Sequence, residues 1–237
     1  MAPTLLTPLP APADTAIAAD EEAASVRTGR GGRPSRIEAL RLRERILEVA
    51  VELFLKEGYG STTIEAVAAR AGISKRTLYH RFDDKAALFA AVVHRIIEQL
   101  RPPREVPLLE GATVHEVLRR LAGLILHAAL SPPALALHRL VTAEVARFPE
   151  LAHAVSREGT TLELTALIAE LLAREASTAG LSPAARSFAA QQFLQMVIGI
   201  PQRRAVGVDS AMSPGELEVW ADSVVNLFLN GCRGWSG

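Results

Sequence analysis

Residues 66–85 of the chain are Ala66-Val-Ala-Ala-Arg-Ala-Gly-Ile-Ser-Lys-Arg-Thr-Leu-Tyr-His-Arg-Phe-Asp-Asp-Lys85. The pattern predicts two short helices, near residues 63–70 and 75–81, joined by a tight turn at Gly72. Apolar side chains would hold the two helices together, and these are Val67, Ala68, Ala71, Ile73, Leu78 and Phe82. Two helices joined in this way form a helix-turn-helix, whose second helix enters the major groove of DNA.

Residues that cap helices precede each helix of this region. Thr62 lies three residues before Glu65, and we interpret the two as a capping box at the start of the first short helix. Ser74 is the predicted N-cap of the second short helix. Asp84 is the predicted N-cap of a longer helix that Pro102 closes.

The outward face of the second short helix carries side chains that can donate hydrogen bonds to DNA or pack flat against it. They are Lys75, Arg76, Thr77, Tyr79, His80 and Arg81. Lysine and arginine at the start of such a helix can pair with O6 and N7 of guanine. The alternative is a structural role, in which Tyr79 is half-buried in the core and the basic residues form a solvated face.

Charge is distributed unevenly along a chain whose net charge is zero. Residues 1–26 carry −4, residues 27–101 carry fifteen basic and nine acidic side chains, or +6, and residues 102–237 carry −2. One positive block in an otherwise neutral chain indicates a module that binds a polyanion, attached to a second part. A chance cluster of solvated arginines is the alternative.

The composition of the 237 residues indicates an ordinary globular protein built from helices. Apolar residues make up 49% and charged residues 22%, which excludes wholesale disorder. The single cysteine, Cys232, excludes an internal disulfide and fits a reducing compartment. The N-terminal segment has no basic residues before an apolar run, so we expect no export signal.

The fold class predicted from these patterns is all-α. One long helix is expected from Ile37 to the glycines at 58 and 60, and no alternating pattern suggests a strand. Breakers divide the rest into helices near 113–130, 132–147, 150–178, 182–205 and 214–231. The predicted domains are a disordered tail over 1–35 with a basic end at Arg27, Arg30 and Arg33, a three-helix DNA-binding domain over 36–83, a connecting helix over 84–101, and a C-terminal domain over 102–237.

The segment from Thr62 to Leu88 resembles the TetR/AcrR family of transcriptional regulators. The resemblance lies in the threonine before the first short helix, the turn Ala68-Ala-Arg-Ala-Gly-Ile-Ser74, the run Thr77-Leu-Tyr-His-Arg-Phe82 and the lysine that follows Asp84. It implies phosphate contacts by Thr62, Thr77, Tyr79 and Lys85, and base contacts by Lys75, Arg76 and His80. It also implies an all-helical C-terminal domain that binds a ligand and forms a dimer.

The C-terminal half resembles the AefR-like branch of that family at 144–151 and 199–204. The resemblance implies a dimer surface on the last two helices, with candidate residues Phe188, Ala189, Phe193, Met196, Val197, Leu217, Trp220, Val224 and Phe228. The same apolar stripes could equally be core within one chain. Three polar residues in otherwise apolar helices are candidates to line a ligand pocket: His127, His138 and Gln195.

We therefore expect a homodimeric regulator, and specifically a repressor, that binds a palindromic operator in double-stranded DNA and is released by a small hydrophobic effector. The alternatives are a transcriptional activator, a ligand-independent DNA binder, and a helical enzyme or carrier of an apolar molecule. We identify no catalytic residues and no cofactor site. We also identify no metal site, because the six histidines lack the spacing of metal ligands. The expected location is the cytoplasm, without a membrane partner.

Overall fold

A computed structural model describes residues 36–101, 113–157, 160–174 and 180–231. The predicted tail over 1–35, including its basic end, and Cys232 lie outside the described residues. The described chain forms helices α1 (Arg36–Glu57), α2 (Ile64–Arg70), α3 (Lys75–Tyr79), α4 (Lys85–Leu100), α5 (Val114–Ala129), α6 (Pro132–Glu144), α7 (Glu150–Arg157), α8 (Thr160–Arg174), α9 (Pro183–Arg203) and α10 (Pro214–Asn230). A π turn, Arg204–Val208, follows α9.

The all-α prediction is confirmed, since no strand occurs in those four ranges. In the segment predicted as one helix over 150–178 the structure describes α7 and α8, and the single helix stays a prediction because residues 158–159 lie outside the described residues. The second short helix is shorter than predicted and ends at Tyr79.

The predicted N-caps at Ser74 and Asp84 are confirmed. Ser74 Oγ accepts a hydrogen bond from the Thr77 amide at 3.1 Å, and Asp84 Oδ1 accepts one from the Ala87 amide at 2.7 Å. The capping box assigned to Thr62 is wrong by one residue. Thr63 is the N-cap of α2, whereas the buried Thr62 turns its hydroxyl inward and donates to the Gly58 carbonyl at 2.7 Å.

The first hydrophobic core contains α1 to α4, and it also includes α6 and α7. Its buried residues from the N-terminal helices include Phe54, Leu78 and Phe89, and those from α6 and α7 are Leu137, Leu140, Leu151 and Ala154. The helix-turn-helix therefore packs in one core with two helices from the C-terminal half. The domain boundaries at 83 and 101 stay a prediction.

The second core joins α5, α8, α9 and α10. It takes up most of the residues considered for the dimer surface: Phe193, Val197 and Val224 are buried in it, and Ala189, Met196, Leu217, Trp220 and Phe228 pack against it. Phe188 is the exception, with 63% of its surface exposed. Most of the two stripes thus serve the fold of one chain, because helical periodicity marks an apolar face without saying which neighbour covers it.

Within the described ranges, no one helix is both long enough and apolar enough to cross a membrane. Helices α5 and α6 meet that test only when taken together, and they are bent by 67° at the break between them. Among the same residues, no group of three or more histidine, cysteine, aspartate or glutamate side chains is arranged to hold a metal ion.

Candidate nucleic-acid interface

The turn between α2 and α3 sets the direction of α3. Gly72 adopts a φ of +69°, a left-handed conformation that favours glycine. The Ile73 amide donates to the Ala68 carbonyl at 3.0 Å, and the Gly72 amide donates to the Ala69 carbonyl at 3.1 Å. These two bonds form a Schellman motif, which ends α2 and satisfies its last carbonyls. Leu78, fully buried, then fixes α3 against the core.

The exposed face of α3 carries most of the residues predicted to contact DNA. Lys75, Arg76 and Tyr79 are exposed on the helix, and His80 is exposed as its C-cap. Thr77 is half-buried, and its hydroxyl is 2.8 Å from the Ser74 hydroxyl. The structure therefore brings the three predicted base contacts and two of the predicted phosphate contacts onto one short helix and its end.

Lys75 and Arg76 differ in their surroundings although they are adjacent. Lys75 forms an ion pair with Glu65 of α2, and its ammonium is 5.6 Å from the centre of the Tyr79 ring. The hydrogen bond between the two side chains lowers the pKa of the Glu65 carboxyl and raises the pKa of Lys75. Arg76 has no ion pair with any other described residue. The two neighbouring cations thus differ, because the Lys75 ammonium is paired with a carboxylate and the Arg76 guanidinium is not.

Arg81 contributes less to this face than the sequence predicted. Its side chain is half-buried, and it donates a hydrogen bond to the Ala39 carbonyl of α1 at 3.3 Å. The guanidinium thus links α1 to the residues that follow α3.

Lys85, at the start of α4, faces the loop between α1 and α2. Its Nζ donates to the Tyr59 carbonyl at 2.9 Å and to the Thr62 carbonyl at 3.2 Å, and it lies 4.3 Å from the centre of the Tyr59 ring. An ammonium has three N–H groups, so one remains beyond these two bonds. Thr62 is only 1% exposed, and its side chain is unavailable to a phosphate in this arrangement.

A glutamate from the C-terminal half holds the same loop. The two carboxylate oxygens of Glu144, the last residue of α6, accept hydrogen bonds from the Tyr59 amide at 2.7 Å and the Gly60 amide at 2.6 Å. The Tyr59 hydroxyl donates to Glu150 at 3.1 Å. Burial, and after it this hydrogen bond, raises the pKa of the Tyr59 hydroxyl. Sequence reasoning had marked 144–151 as a family-like segment but had assigned it no contact.

The three residues predicted to line a ligand pocket do not share one described cavity. A groove of about 1140 Å³ lies between α5 and α10, and its lining residues include Arg119, Gly123, His127, Ser131, Leu217 and Ala221. His138, half-buried on α6, and Gln195, exposed on α9, are not among the residues that line it. Of the three, only His127 lines this groove.

Two family models match the chain. Residues 46–92, from α1 into α4, match the model described as bacterial regulatory proteins of the tetR family. Residues 116–231, from α5 to the end of α10, match the model of the C-terminal domain of AefR-like transcriptional repressors. The two models together cover both cores of the fold.

Curated relatives and solved structures agree with these models. The chain is 32% identical over 80 residues to the transcriptional repressor BepR of Brucella suis, covering 34% of this chain and 36% of BepR. It is 38% identical over 58 residues to the transcriptional activator FasR of Mycolicibacterium smegmatis, covering 24% of this chain and 26% of FasR. The match thus spans about a quarter to a third of the length of these relatives.

One similar protein of known structure extends the likeness to nearly the whole fold. This structure, of the flavonoid-responsive regulator FrrA, is 31% identical in sequence with a TM-score of 0.65. The alignment covers 80% of this chain and 95% of FrrA.

Proposed function

The chain belongs to the TetR family of bacterial transcription regulators, and we propose that it acts as a homodimeric repressor of a palindromic DNA operator. The observation that carries the proposal is α3, a short helix held by the Gly72 turn, with Lys75, Arg76 and His80 exposed along one face and its end. In a two-fold dimer, two such helices would enter successive major grooves about 34–36 Å apart.

The proposed DNA contacts on α3 and at the start of α4 divide into two roles. Lys75, Arg76 and His80 would contact base edges, and a good bidentate pair contributes about 1–3 kcal/mol of discrimination. Thr77, Tyr79 and Lys85 would contact backbone phosphates, which supply affinity and its dependence on salt.

Repression is favoured by two of the comparisons, since the matched C-terminal model describes repressors and BepR is a repressor. The match to the activator FasR keeps activation as the second candidate. The position of the operator relative to a promoter decides between them. A reporter fused to that promoter, with and without this protein, shows directly whether the protein lowers or raises transcription.

A small hydrophobic effector is the proposed inducer. The groove of about 1140 Å³ between α5 and α10 is the proposed place for it, because apolar residues such as Leu217 and Ala221 line it beside the polar His127. FrrA, the similar structure, is described as flavonoid-responsive. An effector releases DNA only to the extent that it binds the DNA-free arrangement more tightly than the DNA-bound one.

Exposed apolar residues support a dimer surface on the last two helices. Phe188 and Ile200 on α9 are 63% and 43% exposed, and Val219 on α10 is 66% exposed. Together with the likeness to family regulators, they make α9 and α10 the proposed contact with a second copy. A regulator of this kind would work in the cytoplasm, where bacterial DNA lies, and would need neither a cofactor nor a catalytic residue.

Selection of bound duplexes from a random DNA pool tests the proposal. The selected sequences should contain two inverted half-sites. With that DNA, Arg76→Ala should relax the preference at one base position in each half-site, whereas Lys85→Ala should weaken binding to every sequence and reduce the salt slope by about one contact. If the two variants change specificity and salt dependence alike, the division of roles is wrong.

A further inference from the structure

We propose that Glu144 is a positioning residue for DNA binding, which fixes the DNA-binding helices relative to the C-terminal half. The inference rests on the proposed function, because Glu144 would affect DNA binding only in a dimer. There, the angle between the two halves of each chain sets the distance and rotation between the two α3 helices. Glu144 would thus determine which spacing of half-sites the dimer accepts.

We call the contact between the Glu144 carboxylate and the amides of Tyr59 and Gly60 the clamp. The carboxylate accepts hydrogen bonds from two consecutive backbone amides, those of Tyr59 and Gly60, at 2.7 and 2.6 Å. A carboxylate that accepts two N–H bonds makes charge-assisted bonds, which are stronger than neutral ones and restrict orientation. The acceptor and the donors are 84 and 85 residues apart in the chain, and they join the end of α6 to the loop between α1 and α2.

The loop is shaped to admit this carboxylate. Gly58 has a φ of +87°, and a Cβ built on it would lie 2.7 Å from Glu144 Oε1. A Cβ on Gly60 would lie 3.0 Å from Oε2 of the same carboxylate. Both glycines therefore leave the space that the clamp occupies, and larger residues at either position would push Glu144 away.

Other residues also contact this loop. The Phe148 ring lies 5.0 Å from the Tyr59 ring in an edge-on arrangement, and Glu150 accepts the Tyr59 hydroxyl hydrogen bond. Lys85 donates to two carbonyls of the same loop, and its Nζ lies 5.6 Å from the centre of the Phe148 ring. Two amides of the loop thus donate to Glu144 of the C-terminal half, and two of its carbonyls accept from Lys85 at the start of α4.

Helix α6 also contacts the end of α9. Arg139, within α6, donates to the Ala205 carbonyl in the π turn that follows α9, at 3.0 Å. One helix therefore contacts both the end of a proposed dimer helix and the loop of the DNA-binding helices. Because α6 is held at both contacts, it couples the orientation of the dimer helices to the orientation of α3. This coupling is lost when Glu144 releases the loop.

The test compares full-length wild-type protein, Glu144→Gln and Tyr59→Phe on one set of duplexes. The duplexes carry the half-sites that the wild-type protein selects, with zero, one, two or three base pairs inserted between them. Each inserted pair rotates one half-site by about 34–36° relative to the other, since a turn contains 10–10.5 pairs. Glu144→Gln retains one oxygen acceptor but sets an amide NH2 against a backbone N–H, so the clamp is lost. Tyr59→Phe is the matched control, because it removes the bond to Glu150 and leaves both amide bonds in place.

We expect one inserted pair to weaken wild-type binding by about tenfold or more, which corresponds to 1.4 kcal/mol. Tyr59→Phe should show the same spacing profile, and Glu144→Gln should show a flattened one, with faster hydrogen exchange at the amides of residues 59 and 60. If Glu144→Gln does not fold, Glu144→Asp, which withdraws the carboxylate by one methylene, should flatten the profile in the same way.

Three results would overturn the inference. The first is a Glu144→Gln profile that matches the wild type while amide exchange shows the clamp released. The second is a failure of both Glu144 variants to fold, which would make the residue structural only. In the third, wild-type protein binds no duplex of any sequence, and this result overturns the proposed function together with the inference, whereas the first two leave the proposed function intact.

Discussion

Gly58→Ala should destabilise the protein more than Gly72→Ala, although both glycines have a positive φ. Gly58 has a φ of +87° and Gly72 a φ of +69°, so alanine is strained at either position. The surroundings differ, because a Cβ on Gly58 would lie 2.7 Å from Glu144 Oε1, whereas a Cβ on Gly72 would have no atom within 4 Å among the described residues. Comparing the two variants therefore separates two losses of unfolding free energy, one from backbone strain and one from displacing Glu144.

The magnitudes follow from these two terms. Left-handed backbone costs alanine about 1–2 kcal/mol, and this is the whole expected effect at Gly72. At Gly58 the short contact is relieved when the flexible Glu144 side chain moves, which breaks its bonds to the Tyr59 and Gly60 amides. A hydrogen bond to a charged group contributes about 1.5–3 kcal/mol when buried. The clamp is half-exposed, so we expect about 1–2 kcal/mol from it and a total of about 2–4 kcal/mol at Gly58.

Urea unfolding followed by far-ultraviolet circular dichroism measures the free energy of unfolding of each variant. Protein concentration must be equal throughout, because the proposed dimerisation would couple stability to concentration. In a Glu144→Ala background, Gly58→Ala should cost only the backbone term, since no carboxylate remains to be displaced. If Gly58→Ala and Gly72→Ala cost the same in the wild-type background, the carboxylate contributes nothing measurable and the reasoning from the clamp is refuted.

Two further predictions concern the DNA-binding helices. Glu65→Gln should strengthen DNA binding at low salt by up to about fivefold, because an exposed ion pair is weak and Lys75 would no longer exchange Glu65 for DNA. Fluorescence anisotropy with labelled duplex measures the change, and weaker binding would show that Glu65 orients Lys75 for DNA. Leu78→Ala should lower the free energy of unfolding by about 2–5 kcal/mol, since Leu78 is fully buried between α3 and the first core. A loss below about 1 kcal/mol in urea unfolding would mean that α3 is held mainly by other contacts.

The helix-turn-helix could be predicted from sequence because its determinants are local. The glycine at 72, the caps at Ser74 and Asp84, and the apolar spacing each act within a few residues. The cap assigned to Thr62 failed for a tertiary reason. Two adjacent threonines both suit an N-cap, and burial of Thr62 against the end of α1 leaves that position to Thr63.

The contacts between the two halves of the chain could not be predicted in the same way. Glu144 reaches amides more than eighty residues away, and a glutamate at the end of a helix carries no sequence signal of such a partner. The apolar residues of α9 and α10 show the same limit. Phe193 and Val224 have the spacing expected of a dimer surface, yet they fill the core of a single chain.

Footprinting of the wild-type protein on DNA selected from a random pool is the decisive measurement for a homodimeric repressor. Such a protein should protect an inverted repeat, with half-site centres about one helical turn apart, bound by two copies of the chain. Lack of binding to any duplex at low salt, or protection of a single half-site by one copy, would contradict it.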